Sequence, residues 1–148
     1  VFIRDASSSP TSKNGVKYFA ASASVLTATP QMKAFPSADI EFKLPSSMLN
    51  QIQRVASILK VADFSFVGDG TTIVVQVGDK TNATSNTFSS EIGETDKTFK
   101  VNFKVDNLKM VSADYNVTIG GKKISRFDAV NSDLTYYCAI ELDSSFDF

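Results

Sequence analysis

The stretch DIEFKLPSSMLNQIQRVASILK, residues 39–60, decides the fold class. Its first part alternates, with Ile40, Phe42 and Leu44 apolar and Glu41 and Lys43 charged, which is the period-two pattern of a half-buried strand. After Pro45 the period changes. Met48, Leu49, Ile52, Val55, Ala56 and Leu59 recur at spacings of three and four, so an amphipathic helix is predicted over Ser46 to Lys60.

The same switch recurs further along the chain. Val101, Phe103 and Val105 alternate with Asn102 and Lys104 as far as Asp106 and Asn107, and a short helix is predicted from Asn107 to Val111. Each helix is followed by strand patterns: Asp63 to Val67, Thr72 to Val77 and Thr87 to Ile92 in the first unit, then Asp114 to Ile119, Lys122 to Phe127 and Leu134 to Leu142 in the second. The second unit opens with the strand Lys97 to Val105. Asp69 between Gly68 and Gly70, and the pair Gly120-Gly121, read as tight hairpin turns. A duplicated strand-helix-three-strand unit therefore predicts an α+β fold, with two helices side by side on one face of antiparallel sheets shared by both halves. Such an architecture presents a surface rather than a catalytic cleft.

Upstream, Val1 to Ile3 and Val16 to Phe19 look strand-like and flank the Ser-rich loop Ser7 to Gly15, while Ala20 to Leu26 continues small and apolar. TATPQMKAFP, residues 27–36, has two prolines and no sustained period, and reads as a connector.

Composition narrows the chemistry. At 148 residues, 43% hydrophobic and 21% charged, the chain can bury one sizeable core, and its net charge of −1 is that of an ordinary soluble domain. With no His, histidine-based triads, histidine metal ligands and the usual neutral-pH general base are excluded within the chain. One cysteine, Cys138 in an apolar run, rules out an intrachain disulfide and a cysteine-built zinc site. No apolar run reaches membrane-spanning length, and VFIRDASSSP lacks the basic start and apolar core of a signal peptide, so a cytoplasmic location is expected. Glu91, Glu94 and Asp96 around Gly93 could hold a hard cation through oxygen ligands, although a solvated turn is the simpler reading.

The helix face opposite the apolar stripe carries Ser47, Asn50, Gln51, Arg54 and Ser57, with Lys60 at its end and no acidic residue. Asn107 and Lys109 occupy the exposed side of the second helix. Keeping carboxylates off both helices in a slightly acidic chain produces a neutral to positive strip. A merely solvated face has the same composition.

The order of elements, the proline-bearing connector, the stretch Asn107-Leu108-Lys109-Met110 and above all the ending YCAIELDSSFDF, residues 137–148, resemble the carboxy-terminal domain of the sliding clamps of T-even-type bacteriophages, which are DNA polymerase processivity factors. The resemblance covers Phe35 to Phe148 and implies the DNA-clamp fold. It divides the chain into a remnant of a preceding clamp domain (1–26, edge strands), an interdomain connector (27–36) and a carboxy-terminal clamp domain (37–148). A clamp subunit has two similar domains and three subunits close a ring, so the chain, which starts at Val1, is expected to be a fragment. Its edge strands, Val16 to Leu26 and Thr87 to Ile92, are those that pair between neighbouring subunits in related clamps.

The resemblance implies topological rather than chemical work, without catalytic residues, metal or cofactor: duplex DNA passes through the ring, and the replicative DNA polymerase is tethered to it. Asn50, Gln51, Arg54, Lys60, Asn107 and Lys109, with Lys122 and Lys123 on the hairpin, would face the DNA and attract phosphates without reading sequence. The polymerase and the clamp loader would insert an apolar peptide into a groove at Met32, Phe35, Pro36, Leu142, Phe146 and Phe148. The full-length family forms homotrimers, has no membrane partner and works in the cytoplasm of the infected bacterial host. Two rival readings are a β-rich structural or adhesive binding module, which would lack the helix Ser46 to Lys60, and a carboxylate enzyme, which would require Glu91, Glu94 and Asp96 to converge in a pocket.

Overall fold

A computed structural model describes residues 2–3, 16–17, 19, 22, 25, 35–82 and 84–147. The chain divides into two compact units, Val1–Lys33 and Ala34–Phe148. In the first unit, β1 (Phe2–Ile3) pairs antiparallel with β2 (Val16–Lys17), and the Lys17 ammonium lies 5.0 Å from the centre of the Phe19 ring. The strand expected over Val16 to Phe19 is described only at Val16–Lys17. Most of Ala20 to Leu26, and residues 27–34 of the connector, lie outside the described residues.

The second unit runs β3 (Ile40–Leu44), α1 (Ser46–Leu59), β4 (Asp63–Asp69), β5 (Thr72–Val77), β6 (Phe88–Glu94), β7 (Thr98–Lys104), a single 3₁₀ turn (Val105–Leu108), β8 (Tyr115–Gly120), β9 (Ile124–Ala129), β10 (Thr135–Ala139) and β11 (Ser145–Phe146). The strands form two antiparallel sheets, one in the order β10-β9-β8-β3 and the other β11-β7-β4-β5-β6. Each sheet takes strands from both halves of the sequence: β3 leaves its own half to pair with β8, and β7 leaves its own to pair with β4.

One α-helix is present among the described residues, where two were expected. The segment predicted as a helix from Asn107 to Val111 is a four-residue 3₁₀ turn that starts two residues earlier. Its apolar residues are too few for a buried stripe, so Leu108 alone is buried from it, and a turn this short gains little from helical cooperativity. Helix α1 ends at Leu59. Lys60 is its C-cap in the left-handed conformation (φ 57°), with its amide bonded to the Ala56 carbonyl.

The core is an aromatic cluster that joins the two sheets. Phe103 on β7 stacks on Phe64 at 5.3 Å, meets Phe66 edge-on at 5.6 Å, and reaches Phe127 of the other sheet at 6.2 Å; Phe127 in turn meets Tyr115. Leu49, Ile52 and Ala56 of α1 bury against this cluster, as the spacing of three and four requires. The burial alternation of β5, Ile73, Val75 and Val77, is that of a strand with one face in the core.

Two turns depart from their sequence reading in detail. In the β4–β5 turn Gly70 supplies the positive φ (87°), and the Asp69 carboxylate accepts the amides of Thr71 and Thr72. In the β8–β9 turn the left-handed residue is Lys123 (φ 61°), not a glycine, so Lys122 and Lys123 sit in the turn and the strand predicted from Lys122 starts at Ile124. The Asp39 carboxylate braces this turn by accepting the Gly121 amide at 2.7 Å.

The last predicted strand, Leu134 to Leu142, stops at Ala139. The chain then crosses from one sheet to the other, with the Ile140 amide bonded to Lys123 and the Glu141 amide to Asn102, and adds β11 to the edge of β7. This crossing covers the outer side of β4 and β7, which is why Ser65 and Asn102 are buried and bonded to each other at 2.6 Å.

Candidate nucleic-acid interface

Ser47, Asn50, Gln51, Arg54, Ser57 and Lys60 are all exposed on α1, and the helix carries no acidic residue. The loop after the 3₁₀ turn is tied to this helix by three side chains. The Gln53 amide donates to the Leu108 carbonyl, and Asn50 exchanges hydrogen bonds with the Ser112 hydroxyl at 3.1 and 3.3 Å. Asn50 is thus partly engaged in holding the loop. Two tyrosines fix the same loop from below, Tyr115 donating its hydroxyl to the Val111 carbonyl and Tyr136 accepting the Val111 amide.

The expected cationic strip is not free of carboxylates. Because the turn begins at Val105, Asp106 lies on it and pairs with Lys109 at 2.8 Å, both side chains being highly exposed. Hydrogen bonding and charge from Lys109 hold the Asp106 carboxyl below its ordinary range. Lys109 therefore offers a compensated charge, whereas Arg54 has no ion pair among the described residues. Asn107 and Gln51 are exposed. Ile58, 68% exposed beside these polar groups, is an apolar residue that the helical stripe did not foretell.

Lys122 is exposed at the hairpin, but Lys123 is committed elsewhere: its ammonium donates to the Leu142 carbonyl at 2.6 Å. A cleft of about 500 Å³ opens between the end of α1 and the 3₁₀ turn, with Ala56 and Val61 on its apolar side and Gln53, Lys60, Lys104 and Asn107 among its polar ones. Lys104, in sequence only the polar phase of a strand, lines the same cleft as Lys60. It bonds Asp63 at 2.6 Å; Lys80 lies 3.7 Å from Asp63 and 2.8 Å from Asp143. Hydrogen bonding to Asp143 raises the Lys80 pKa, and the same contact lowers that of Asp143.

The residues expected to form a peptide groove are dispersed. Met32 and Phe148 lie outside the described residues. Phe35 is half-buried with the Arg126 guanidinium 5.2 Å from its ring, and Pro36 is exposed. Leu142 is 85% exposed, while Phe146 is half-buried, packed against the core and paired with Phe99 through β11. The β8–β9 hairpin brings Phe35 and Leu142 to the same end of the four-stranded sheet; Phe146 belongs to the other sheet.

The helix Ser46–Leu59 tells against a pure β-module. Glu91, Glu94 and Asp96 are all exposed, and no cluster of three metal-ligating side chains occurs among the described residues. No helix among the described residues is long and apolar enough to cross a membrane.

Residues 41–142 match the family described as gp45 sliding clamp, C terminal. The chain is also 30% identical over 128 residues to the sliding clamp of Vibrio phage KVP40, an alignment that covers 82% of this chain and 57% of that protein. The chain thus spans a little over half the length of this relative. On the match across both sheets and the helix, the chain belongs to the gp45 sliding clamp family, in its carboxy-terminal domain.

Proposed function

We propose that this chain is part of a sliding clamp subunit that encircles duplex DNA and tethers the replicative DNA polymerase, without catalysing a reaction. The observation that carries the DNA reading is the outward face of α1, where Arg54 and Lys60 stand among amides and hydroxyls with no carboxylate on the helix. A polyanion passing such a face gains sequence-independent, salt-sensitive attraction while no contact fixes its register. Asn50, Gln51, Arg54, Lys60, Asn107 and Lys109 line this face, with Lys122 at the hairpin and Lys123 contributing least because Leu142 holds it.

The fold is read as a duplicated unit: the reciprocal exchange of β3 and β7 between the sheets supports two halves related by an approximate two-fold. The chain is divided into a remnant of a preceding domain (1–26), a connector (27–36) and the clamp domain (37–148). The full-length subunit forms a homotrimer that the clamp loader places on DNA in the cytoplasm of the infected host. Polymerase and loader dock near Phe35, Pro36 and Leu142, with Phe146 supporting that end from its own sheet.

The test is binding of a labelled duplex by fluorescence anisotropy across a salt series. The reading requires an affinity whose logarithm falls linearly with the logarithm of salt and which is indifferent to sequence. Affinity absent at low salt, or unaffected by salt, overturns it.

A further inference from the structure

Four charged side chains connect the cleft at the end of α1 to the tail that crosses the sheets. Lys104 lines the cleft and bonds Asp63 at 2.6 Å; Asp63 faces Lys80 at 3.7 Å; Lys80 bonds Asp143, in the tail, at 2.8 Å. The signs alternate along the row. The two central groups are the least exposed, Asp63 at 18% and Lys80 at 19%, and the two ends the most, Lys104 at 42% and Asp143 at 52%. A partly buried carboxylate depends on its cations, because water compensates it poorly, whereas an exposed one is readily solvated. The row is therefore poised to shift by one partner.

The cleft itself suits one chemical unit. Ala56 and Val61 give it an apolar wall, and Lys60, Lys104, Gln53 and Asn107 supply cations and amides. The first suits the packing of a deoxyribose ring and the second hydrogen bonds to its phosphate. Asp106 also lines the cleft, but its carboxylate is paired with Lys109.

We infer that this cleft takes a sugar–phosphate unit of the DNA backbone and that its occupancy loosens the tail through Lys104, Asp63, Lys80 and Asp143. The inference rests on the DNA-binding reading above. A phosphate that draws Lys104 away leaves Asp63 with Lys80 alone. Asp63 pulls Lys80 toward itself, and Asp143, easily hydrated, loses its cation. The tail keeps its backbone bonds, Glu141 to Asn102 and Asp147 to Thr98, but they open more often. Contact with DNA at the cleft is thereby reported at the tail.

Hydrogen exchange of the full chain, with and without a short blunt duplex at low ionic strength, tests this. Saturating duplex should speed exchange of the Glu141 and Asp147 amides about two- to fivefold, the worth of one partly exposed ion pair. D63N should abolish the response, since nothing then pulls Lys80 from Asp143. Bound duplex with unchanged tail exchange overturns the inference. Should the duplex fail to bind at any salt, the DNA reading falls and K104M decides the network alone: it should speed tail exchange about two- to fivefold without ligand, and an unchanged tail overturns the coupling.

Discussion

The Asp114 carboxylate accepts the Ser46 backbone amide at 2.7 Å, across sixty-eight positions of sequence. Pro45, the residue preceding α1, has no side-chain oxygen, and the first turn holds no acid. The helix start is capped instead by the loop that leads into β8, which puts a negative charge where the helix dipole favours one. One hydrogen bond thus registers the helix of the first half on a strand of the second.

Removing that cap should lower the melting temperature in a pH-dependent way. Hydrogen bonding from Ser46 holds the Asp114 carboxyl below its ordinary value. With the folded pKa below the unfolded one, the stabilisation is complete above the ordinary carboxylate range and is lost as pH falls through the folded value. Asp114→Ala should therefore melt some degrees below wild type at neutral pH, and the two should converge well below about pH 4. A gap that persists unchanged in acid would assign the effect to something other than the charge.

Phe103 is the joint between the sheets, in contact with Phe64, Phe66 and Phe127. Phe103→Ala should cost about 3–5 kcal/mol, the range for deleting a fully buried aromatic ring. Urea unfolding measures it. A loss below about 1 kcal/mol would mean that the two sheets hold together without this ring.

The elements were legible where a local period dictates them. Ile40 to Leu44 and Met48 to Leu59 declared their buried faces, and Thr72 to Val77 was bounded correctly. What local pattern cannot carry is the identity of a distant partner. Nothing in the sequence around Asn102 says that it turns away from the core, bonds Ser65 and receives the tail, and nothing around Lys104 says that it lines the same cleft as Lys60. The second helix failed because Asn107 to Val111 supplies one buried side chain, too little to pay for helical order. The surface of α1 could be read from its polar face; the compensation of Lys109 by Asp106 could not, since it depended on where the turn begins.

That compensation separates two cations of equal formal charge. Arg54 stands without an ion pair among the described residues, and Lys109 is held by Asp106 at 2.8 Å. Arg54→Ala should flatten the salt dependence of duplex binding by roughly one in the log–log slope, and Lys109→Ala by clearly less. Anisotropy titrations across salt measure both. Equal slopes for the two variants would show that the ion pair is too exposed to withhold the lysine charge.

At Lys60 the proposed DNA contact and the stability of the fold pull in opposite directions. It occupies the left-handed C-cap of α1 at φ 57°, where side-chain-bearing residues are strained by about 1 kcal/mol and glycine is not. It also lines the cleft between the end of α1 and the 3₁₀ turn. Lys60→Gly should raise the unfolding free energy by up to about 1 kcal/mol while weakening duplex binding and reducing its salt slope. Chemical denaturation and anisotropy on the same preparation give both quantities. Stabilisation with unchanged DNA affinity would remove Lys60 from the proposed binding surface.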